Sequence, residues 1–475
     1  MNSLDNIESI YFLGAGGIGM SALVRYFLSK GKRVAGYDRT ETKLTKQLNL
    51  EGAAIHYEDN VNLIPKTFKN KEQTLVIWTP AIPDEHSEFL FFFNNGFTLL
   101  KRAQVLGEIT QTNRGICIAG THGKTTISSM TAHLLKQSGI DCNAFLGGIL
   151  KNCKSNLLLS GKSDLTVIEA DEYDRSFHQL APYMAAISSV DPDHLDIYGT
   201  AEAYRESFAH FTSLIRENGV LLMKEGVNIT PKLKDGVRLY SYSGGSYPPS
   251  ERGGGGFALN KPADFYAENI RVANGEIRFD FVAPTETVPD IQLGVPTRIN
   301  IENGVAAMAL AWLNRVTADE LRAGMKSFQG VERRFDFQLK SEKVVLIDDY
   351  AHHPEELTAS INSIKELFPN RKLTVIFQPH LYSRTQDFYK DFAKSLSLSH
   401  EVILLDIYPA RELPIPGITS QLILEHITCK NKRLCGKATL LKTLEKGHYD
   451  VVLMAGAGDI DTLVLPIKQL LSLKC

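Results

Sequence analysis

The six cysteines of this 475-residue chain, Cys117, Cys142, Cys153, Cys429, Cys435 and Cys475, form no Cys-x-x-Cys pair. That argues against a zinc or disulfide framework and for reduced thiols. An excess of one charge sign is also missing. Lys and Arg total 52 and Asp and Glu total 54, for a formal net charge of −2. This balance gives no reason to expect nucleic acid or an anionic membrane as partner. No uninterrupted apolar run reaches the ~18 residues of a membrane helix. Met1-Asn2-Ser3-Leu4-Asp5 lacks a basic region followed by an apolar one, so no signal peptide is expected. No short-period repeat is visible. The expectation is a globular, cytoplasmic protein. Its length suggests two to four domains, at ~100–200 residues each.

The stretch around which the rest is organised is Arg114-Gly115-Ile116-Cys117-Ile118-Ala119-Gly120-Thr121-His122-Gly123-Lys124-Thr125-Thr126. Ile116 to Ala119 reads as a short buried strand, and Thr125 to Lys136 as a helix with Ile127, Met130, Leu134 and Leu135 on one side. The turn between them carries Gly120 and Gly123. Strand, glycine turn, Lys-Thr and helix are the parts of a phosphate cradle. Backbone N–H groups and the helix N-terminus face the phosphates, Lys124 reaches the terminal ones, and Thr125 offers a hydroxyl to Mg²⁺. The general motif has a glycine five residues before Gly123. Ile118 stands there, so this loop is a shorter variant.

Upstream, Ile10 to Leu13 reads as a strand running into Gly14-Ala15-Gly16-Gly17-Ile18-Gly19, at the start of a helix from Met20 to Lys30. Arg33 to Tyr37 is a second strand with Asp38 at its end. This βαβ unit fits a dinucleotide fingerprint, though its physical content is only that a diphosphate can sit on the helix N-terminus. Thr74 to Trp78 is a further strand, and a boundary falls near residue 112.

The second region, 113–328, places acids at strand ends. Leu165 to Ile168 delivers Glu169-Ala170-Asp171-Glu172-Tyr173-Asp174, and Met184 to Val190 delivers Asp191-Pro192-Asp193-His194-Leu195-Asp196. Mg²⁺ ligands belong downstream of a phosphate loop in this way. Ser243 to Gly256 reads as a mobile surface loop. Residues 268–272 and 276–281 flank Ala273-Asn274-Gly275 as a hairpin. Glu302 to Asn314 is an apolar helix carrying Asn303, and Leu321 to Phe328 is the last helix of the region.

The third region, 329–475, alternates strands and helices. The strands Val344 to Ile347, Leu373 to Phe377, Val402 to Leu405 and Val451 to Met454 imply a parallel sheet. Each is followed by a polar cluster: Asp348-Asp349-Tyr350-Ala351-His352-His353, Gln378 to Arg384, Asp406 to Glu412, and Gly456 to Asp459. All four lie at the ligand edge of such a sheet.

These residues resemble the Mur ligases over almost the whole chain, and most closely the members that add L-alanine. The matching stretches are Gly14 to Met20, Gly120 to Thr126, Glu169 to Asp174, Asp193 to Asp196, Asn303, Glu332-Arg333-Arg334, Asp348 to Pro354 and Phe377 to Thr385. The resemblance implies three α/β domains. Residues 1–112 are Rossmann-like and bind the UDP of UDP-N-acetylmuramate, through Gly14, Ala15, Gly16, Gly17, Ile18, Gly19 and Asp38. Residues 113–328 form a P-loop ATPase-like domain with a mixed sheet. It binds ATP through Gly120, Thr121, His122, Gly123, Lys124, Thr125, Thr126 and Asn303, with Arg334 as a further nucleotide contact. Mg²⁺ falls to Thr125, Glu169 and His194. Residues 329–475 are Rossmann-like and bind the amino acid through Tyr350, His352, His380 and Arg384. The implied reaction converts a carboxylate to an acyl phosphate that the alanine amine attacks. Lys124, His352 and Arg384 are its expected catalytic residues, and the base is either His352 or His353. The expected state is monomer or homodimer. One departure stands out: Leu381 occupies a position where many relatives carry Arg. A sister ligase adding a recycled peptide to the same nucleotide is the nearest alternative. A nicotinamide-dependent dehydrogenase would leave the Lys-Thr loop idle, and an ATP-binding switch would leave the third region unexplained.

Overall fold

A computed structural model describes residues 7–245, 263–273, 275–410 and 412–473, the side chain of Asp196 excepted. The N-terminal pentapeptide, most of the Ser243 to Gly256 loop, Asn274 of the hairpin turn, Arg411 and Cys475 lie outside the described residues. Two compact units divide the chain. One comprises Met1–Glu268, Phe281–Val288 and Glu302–Met325, the other Asn269–Asp280, Pro289–Ile301 and Lys326–Cys475.

The first unit opens with a five-stranded sheet in the order Ala54–His56, Arg33–Tyr37, Ser9–Leu13, Thr74–Trp78, Thr98–Lys101. All its neighbours run parallel. Ser9–Leu13 is buried throughout, which accounts for its unbroken apolar run. One face packs an aromatic cluster in which Tyr11 meets Phe68 and Phe92, and Phe92 meets Phe97. The other face is covered by the helix Ile18–Ser29, with Leu23, Val24 and Phe27 in the core.

The next sheet has ten strands. Their order is Glu286–Gln292, Glu276–Ala283, Phe265–Ala273, Arg238–Ser243, Val220–Lys224, Met184–Ile187, Arg114–Ala119, Leu165–Glu169, Asn143–Leu150, Ser155–Leu158. Arg114–Ala119 pairs in parallel on both sides, with Ile118 opposite Glu169 and Ala119 opposite Ile187. The carboxyl ends of three strands are thereby level. The strand expected to reach Val190 stops at Ile187. Beyond it, Ser188 N donates to Ala119 O and Thr121 N to Ser189 O, so the serines support the glycine turn instead of extending the ladder.

In the second unit a six-stranded sheet runs Asp336–Lys340, Val345–Asp349, Val451–Ala455, Leu373–Phe377, Glu401–Leu404, Asn431–Leu434. It is parallel except for Asp336–Lys340, an antiparallel edge strand on Val345–Asp349. Among the described residues no helix is long and apolar enough to cross a membrane, and Cys117, Cys142, Cys153, Cys429 and Cys435 are free.

Candidate active site

The glycine turn after Arg114–Ala119 depends on backbone that side chains resist. Gly120 has φ +143° and Gly123 φ +84°. A Cβ on Gly120 would run into Ser188 Oγ, and one on Gly123 would lie 2.9 Å from Asn303 Oδ1. The Asn303 carboxamide therefore stands against the turn. Gly123 caps the helix Lys124–Gln137 without a side-chain acceptor, which leaves first-turn N–H groups for an anion. Thr121 Oγ1 is fixed by Asp191 O at 2.7 Å and Tyr204 OH at 2.9 Å, and His122 N donates to Ser189 Oγ at 2.9 Å. Thr125 is buried in the first helical turn, while Thr126 is half-buried.

Lys124 is already engaged. Its ammonium donates to Gly120 O at 2.6 Å, Thr121 O at 3.4 Å and Glu172 Oε1 at 2.8 Å. Glu172 Oε2 lies at 2.8 Å as well. Glu172 is 2% exposed, and burial pushes its carboxyl up to about 7, against the downward pull of Lys124. The sequence places Glu172 among the strand-end acids but gives no sign of this partner.

Glu169 ends its strand beside the loop strand, and its Oε2 is buried with no hydrogen-bond partner. Gly147, on the neighbouring strand Asn143–Leu150, makes room for it: a Cβ there would lie 2.6 Å from Glu169 Cδ. The pair Gly147-Gly148 inside a strand was the available sequence signal for such a close approach. His194 follows the two serines that hold the turn. It has φ +52°, its ring meets Tyr173 edge-on at 5.1 Å, and its Nε2 is 3.6 Å from Asp193 Oδ2. Among the described residues no three His, Cys, Asp or Glu side chains form a metal cage. A hydroxyl and a carboxylate with one orphaned oxygen nonetheless suit a hard divalent cation. Such an ion keeps several waters and takes phosphate oxygens, so it needs few protein ligands.

At the first sheet, Gly14 N and Ala15 N donate to Tyr37 O at 2.8 and 3.0 Å, and Gly16 N donates to Asp38 Oδ2 at 2.7 Å. Asp38 thus holds the glycine turn in shape. Gly17 caps the helix Ile18–Ser29 without a side-chain acceptor, so its opening N–H groups, at Ile18 and Gly19, start without intrahelical partners. Arg102 packs its guanidinium against Gly19, where a Cβ would lie 2.6 Å from Cζ. Arg102 Nε is buried without a hydrogen-bond partner.

In the second unit the ligand edge of the sheet gathers the remaining residues. Two guanidinium groups lie over the Tyr350 ring, Arg333 at 5.0 Å and Arg334 at 5.1 Å from its centroid. Arg333 also donates to Gly456 O at 2.6 Å. Burial pushes the Asp348 carboxyl up to about 7, with Arg333 opposing. His352 Nδ1 is 3.0 Å from Tyr350 O and 3.3 Å from Glu356 Oε2. A carbonyl can only accept, so the proton belongs on Nδ1 and Nε2 is the basic nitrogen. Burial lowers the His352 pKa, which keeps the ring neutral near pH 7. His353 instead caps the helix Pro354–Leu367 and packs on Phe388 at 4.9 Å.

His380 faces His352 at 6.1 Å and stacks on Tyr408 at 5.7 Å. Burial, Arg384 and His352 together bring the His380 pKa down to about 4. Arg384 Nη1 is 3.5 Å from His380 Nδ1. Tyr350, His352, His380 and Arg384 are therefore contiguous. Leu381 has φ +71° and ψ +139° at the cap of the helix Tyr382–Leu396, a conformation costly for a side chain with a Cβ. It is held by its own N–H on Tyr408 O at 2.9 Å and by Thr385 Oγ1 donating to its carbonyl at 2.8 Å.

The chain matches three family profiles in order: "Mur ligase family, catalytic domain" over residues 9–114, "Mur ligase middle domain" over 118–311, and "Mur ligase, glutamate ligase domain" over 333–460. It is 62% identical to the UDP-N-acetylmuramate–L-alanine ligase of Parabacteroides distasonis, covering 98% of both chains. It is 45% identical to that of Flavobacterium johnsoniae, covering 99% of both. Among solved structures it resembles UDP-N-acetylmuramate-alanine ligase MurC from Thermotoga maritima, with a TM-score of 0.80, 25% identity, and coverage of 98% of this chain and 100% of the other. A murein peptide ligase from Psychrobacter arcticus shares the fold, with a TM-score of 0.66 at 19% identity and 98% coverage of both. With three α/β domains matched in order and full-length relatives at such identity, this chain belongs to the Mur ligase family.

Proposed function

We propose that this enzyme joins L-alanine to the lactyl carboxylate of UDP-N-acetylmuramate, consuming ATP and giving UDP-N-acetylmuramoyl-L-alanine, ADP and phosphate. The observation that carries this reading is the 62% identity, over 98% of both chains, to a ligase named for that reaction. Lys124 at the start of the helix after the glycine turn, Glu169 at its strand end and the four contiguous residues Tyr350, His352, His380 and Arg384 support it. The domain limits adopted are 1–112, 113–328 and 329–475. The reaction belongs to cell-wall precursor synthesis, and the free cysteines and ATP use support a cytoplasmic location.

The glycine turn 14–19 and the helix behind it take the diphosphate of the UDP-substrate, with Asp38 holding the turn. The turn 120–126 takes the ATP phosphates, and Asn303 braces it. Lys124 carries the positive charge toward the transferring phosphoryl group, where preorganised charge lowers the barrier. Thr125, Glu169 and His194 are the residues that would hold Mg²⁺, which when bound neutralises phosphate charge. Arg384 receives the alanine carboxylate, with Tyr350 and His380 shaping the same edge. His352 takes the proton from the alanine ammonium, since its neutral ring has a free basic nitrogen; the freed amine then attacks the acyl phosphate and phosphate leaves.

Phosphate release from ATP, with one substrate omitted at a time, tests the reading. Release requiring both UDP-N-acetylmuramate and L-alanine is expected. Lys124→Ala is expected to cost ~10²–10³ in rate. A preference for a preformed peptide over L-alanine would point to the sister activity instead.

A further inference from the structure

An ammonium has three hydrogens to donate. In Lys124 all three have acceptors: Gly120 O, Thr121 O and the Glu172 carboxylate. The strongest of these is the Glu172 carboxylate, ionised above about pH 7 and buried, with the Glu172 side chain 3% and the Lys124 side chain 14% exposed. Glu172 is also fixed from behind. Its carbonyl accepts from Tyr198 OH and from Arg175 N at 3.0 Å, so it cannot drift from the loop. A phosphate arriving at the turn meets a lysine whose charge is already neutralised, and a carboxylate of its own sign beside it.

We infer that Glu172 is a positioning residue that clamps Lys124 in the nucleotide-free enzyme and must yield it to the terminal phosphates. This rests on the reading that residues 120–126 bind the ATP phosphates. Glu172 weakens nucleotide binding and makes it selective. Only a ligand with phosphates beyond the first can draw Lys124 away, because the backbone of the turn serves the inner phosphates and Lys124 the outer ones. A nucleoside monophosphate leaves the clamp closed. Removing the carboxylate charge abolishes both the competing partner and the repulsion.

The test is calorimetry at about pH 8, where the Glu172 carboxyl is ionised, on the full-length enzyme with Mg²⁺ and three probes: adenylyl imidodiphosphate, ADP and AMP. Glu172→Gln is expected to tighten the first two by ~10-fold or more and to leave AMP unchanged. Without nucleotide it should melt below wild type, because Lys124 loses its ionic partner in a buried site, and the gap should narrow at saturating imidodiphosphate. Glu172→Asp draws the carboxylate back by one methylene and should tighten the same two probes by a smaller factor. It carries the test if the glutamine variant does not fold. Equal or weaker imidodiphosphate binding in a folded variant overturns the clamp, as does equal tightening of all three probes, which would mean a loosened loop. Lys124→Ala separates the two readings. If it loses its preference for ADP over AMP while Glu172→Gln matches wild type, the clamp fails and the phosphate site stands. If Lys124→Ala binds ADP as wild type does, the phosphate-site reading fails with it.

Discussion

Replacing Gly147 by alanine moves one carboxylate without altering its chemistry. Gly147 is not among the residues with positive φ, so its backbone accepts a side chain. The obstacle is steric. The new Cβ would lie 2.6 Å from Glu169 Cδ, inside van der Waals contact, and relief requires a carboxyl displacement of roughly 1 Å. The atoms displaced are the far end of a flexible side chain, so the stability cost is expected at the low end of overpacking, about 1 kcal/mol, which urea unfolding will register. The effect on rate is expected to be larger, because a misplacement of about 1 Å in a catalytic constellation can cost ~10²-fold. If Glu169 holds Mg²⁺, rate plotted against Mg²⁺ concentration shifts to higher concentration in Gly147→Ala. The double variant Gly147→Ala, Glu169→Ala then behaves as Glu169→Ala alone, since two changes acting on one group do not add. A folded Gly147→Ala with the wild-type Mg²⁺ profile, or additive losses in the double variant, would refute the assignment of Glu169.

Gly16→Val places a Cβ 2.5 Å from the buried Thr45 Cγ2 and 2.9 Å from Asp38 Oδ2, so calorimetry is expected to show lost UDP-N-acetylmuramate binding with ADP binding retained; equal loss of both would indicate unfolding instead. Arg384→Lys keeps the charge but loses the planar fork, and the KM for L-alanine is expected to rise by ~10-fold or more with the other two KM values little changed; a rise confined to ATP would remove Arg384 from the alanine site. Glu88 is fully buried beneath Tyr11 OH at 2.7 Å, and burial raises its carboxyl to about 7. The folded state then holds a proton that the unfolded chain releases above ~4.5, so this contribution to stability is present at low pH and lost as pH rises toward 7. Urea titrations from pH 5 to 8 should show Glu88→Gln gaining on wild type by on the order of 2 kcal/mol, and a flat difference would contradict the burial account.

The strands that the sequence makes plain are the buried central ones. Ser9–Leu13, Thr74–Trp78, Leu373–Phe377 and Val451–Ala455 are apolar on both faces, and such runs have few other destinations. The edges escape notice for the opposite reason. Asn431–Leu434 is exposed at every position and Ala54–His56 has three residues, so neither has a pattern to detect. Met184 to Val190 was legible as a strand but not in length, because Ser188 and Ser189 are claimed by a loop nearly 70 residues away in sequence. The same limit applies to the site. Gly-Lys-Thr-Thr and the strand-end acids are local patterns. The partner of Lys124 and the role of Asp38 in holding a turn exist only after strands are paired, and the Gly147-Gly148 pair signals a close approach without naming Glu169 as what approaches.

The parallel ladder around Arg114–Ala119 has a consequence for how the protein comes into being. Its two flanking strands begin at residues 165 and 184, and Asn303 closes the turn from still further along. Parallel neighbours cannot be joined by a tight hairpin, so the contact order of this region is high and its closure entropy is paid late. During synthesis, at ~5–20 residues per second, the glycine turn leaves the ribosome well before anything that can shape it. A nascent chain ending at residue 160 carries the whole Gly-Lys-Thr-Thr sequence and no phosphate site. Nucleotide capture is therefore available only to a chain whose strands from residues 165 and 184 have already paired beside the loop strand, and it cannot template the pairing that creates its site.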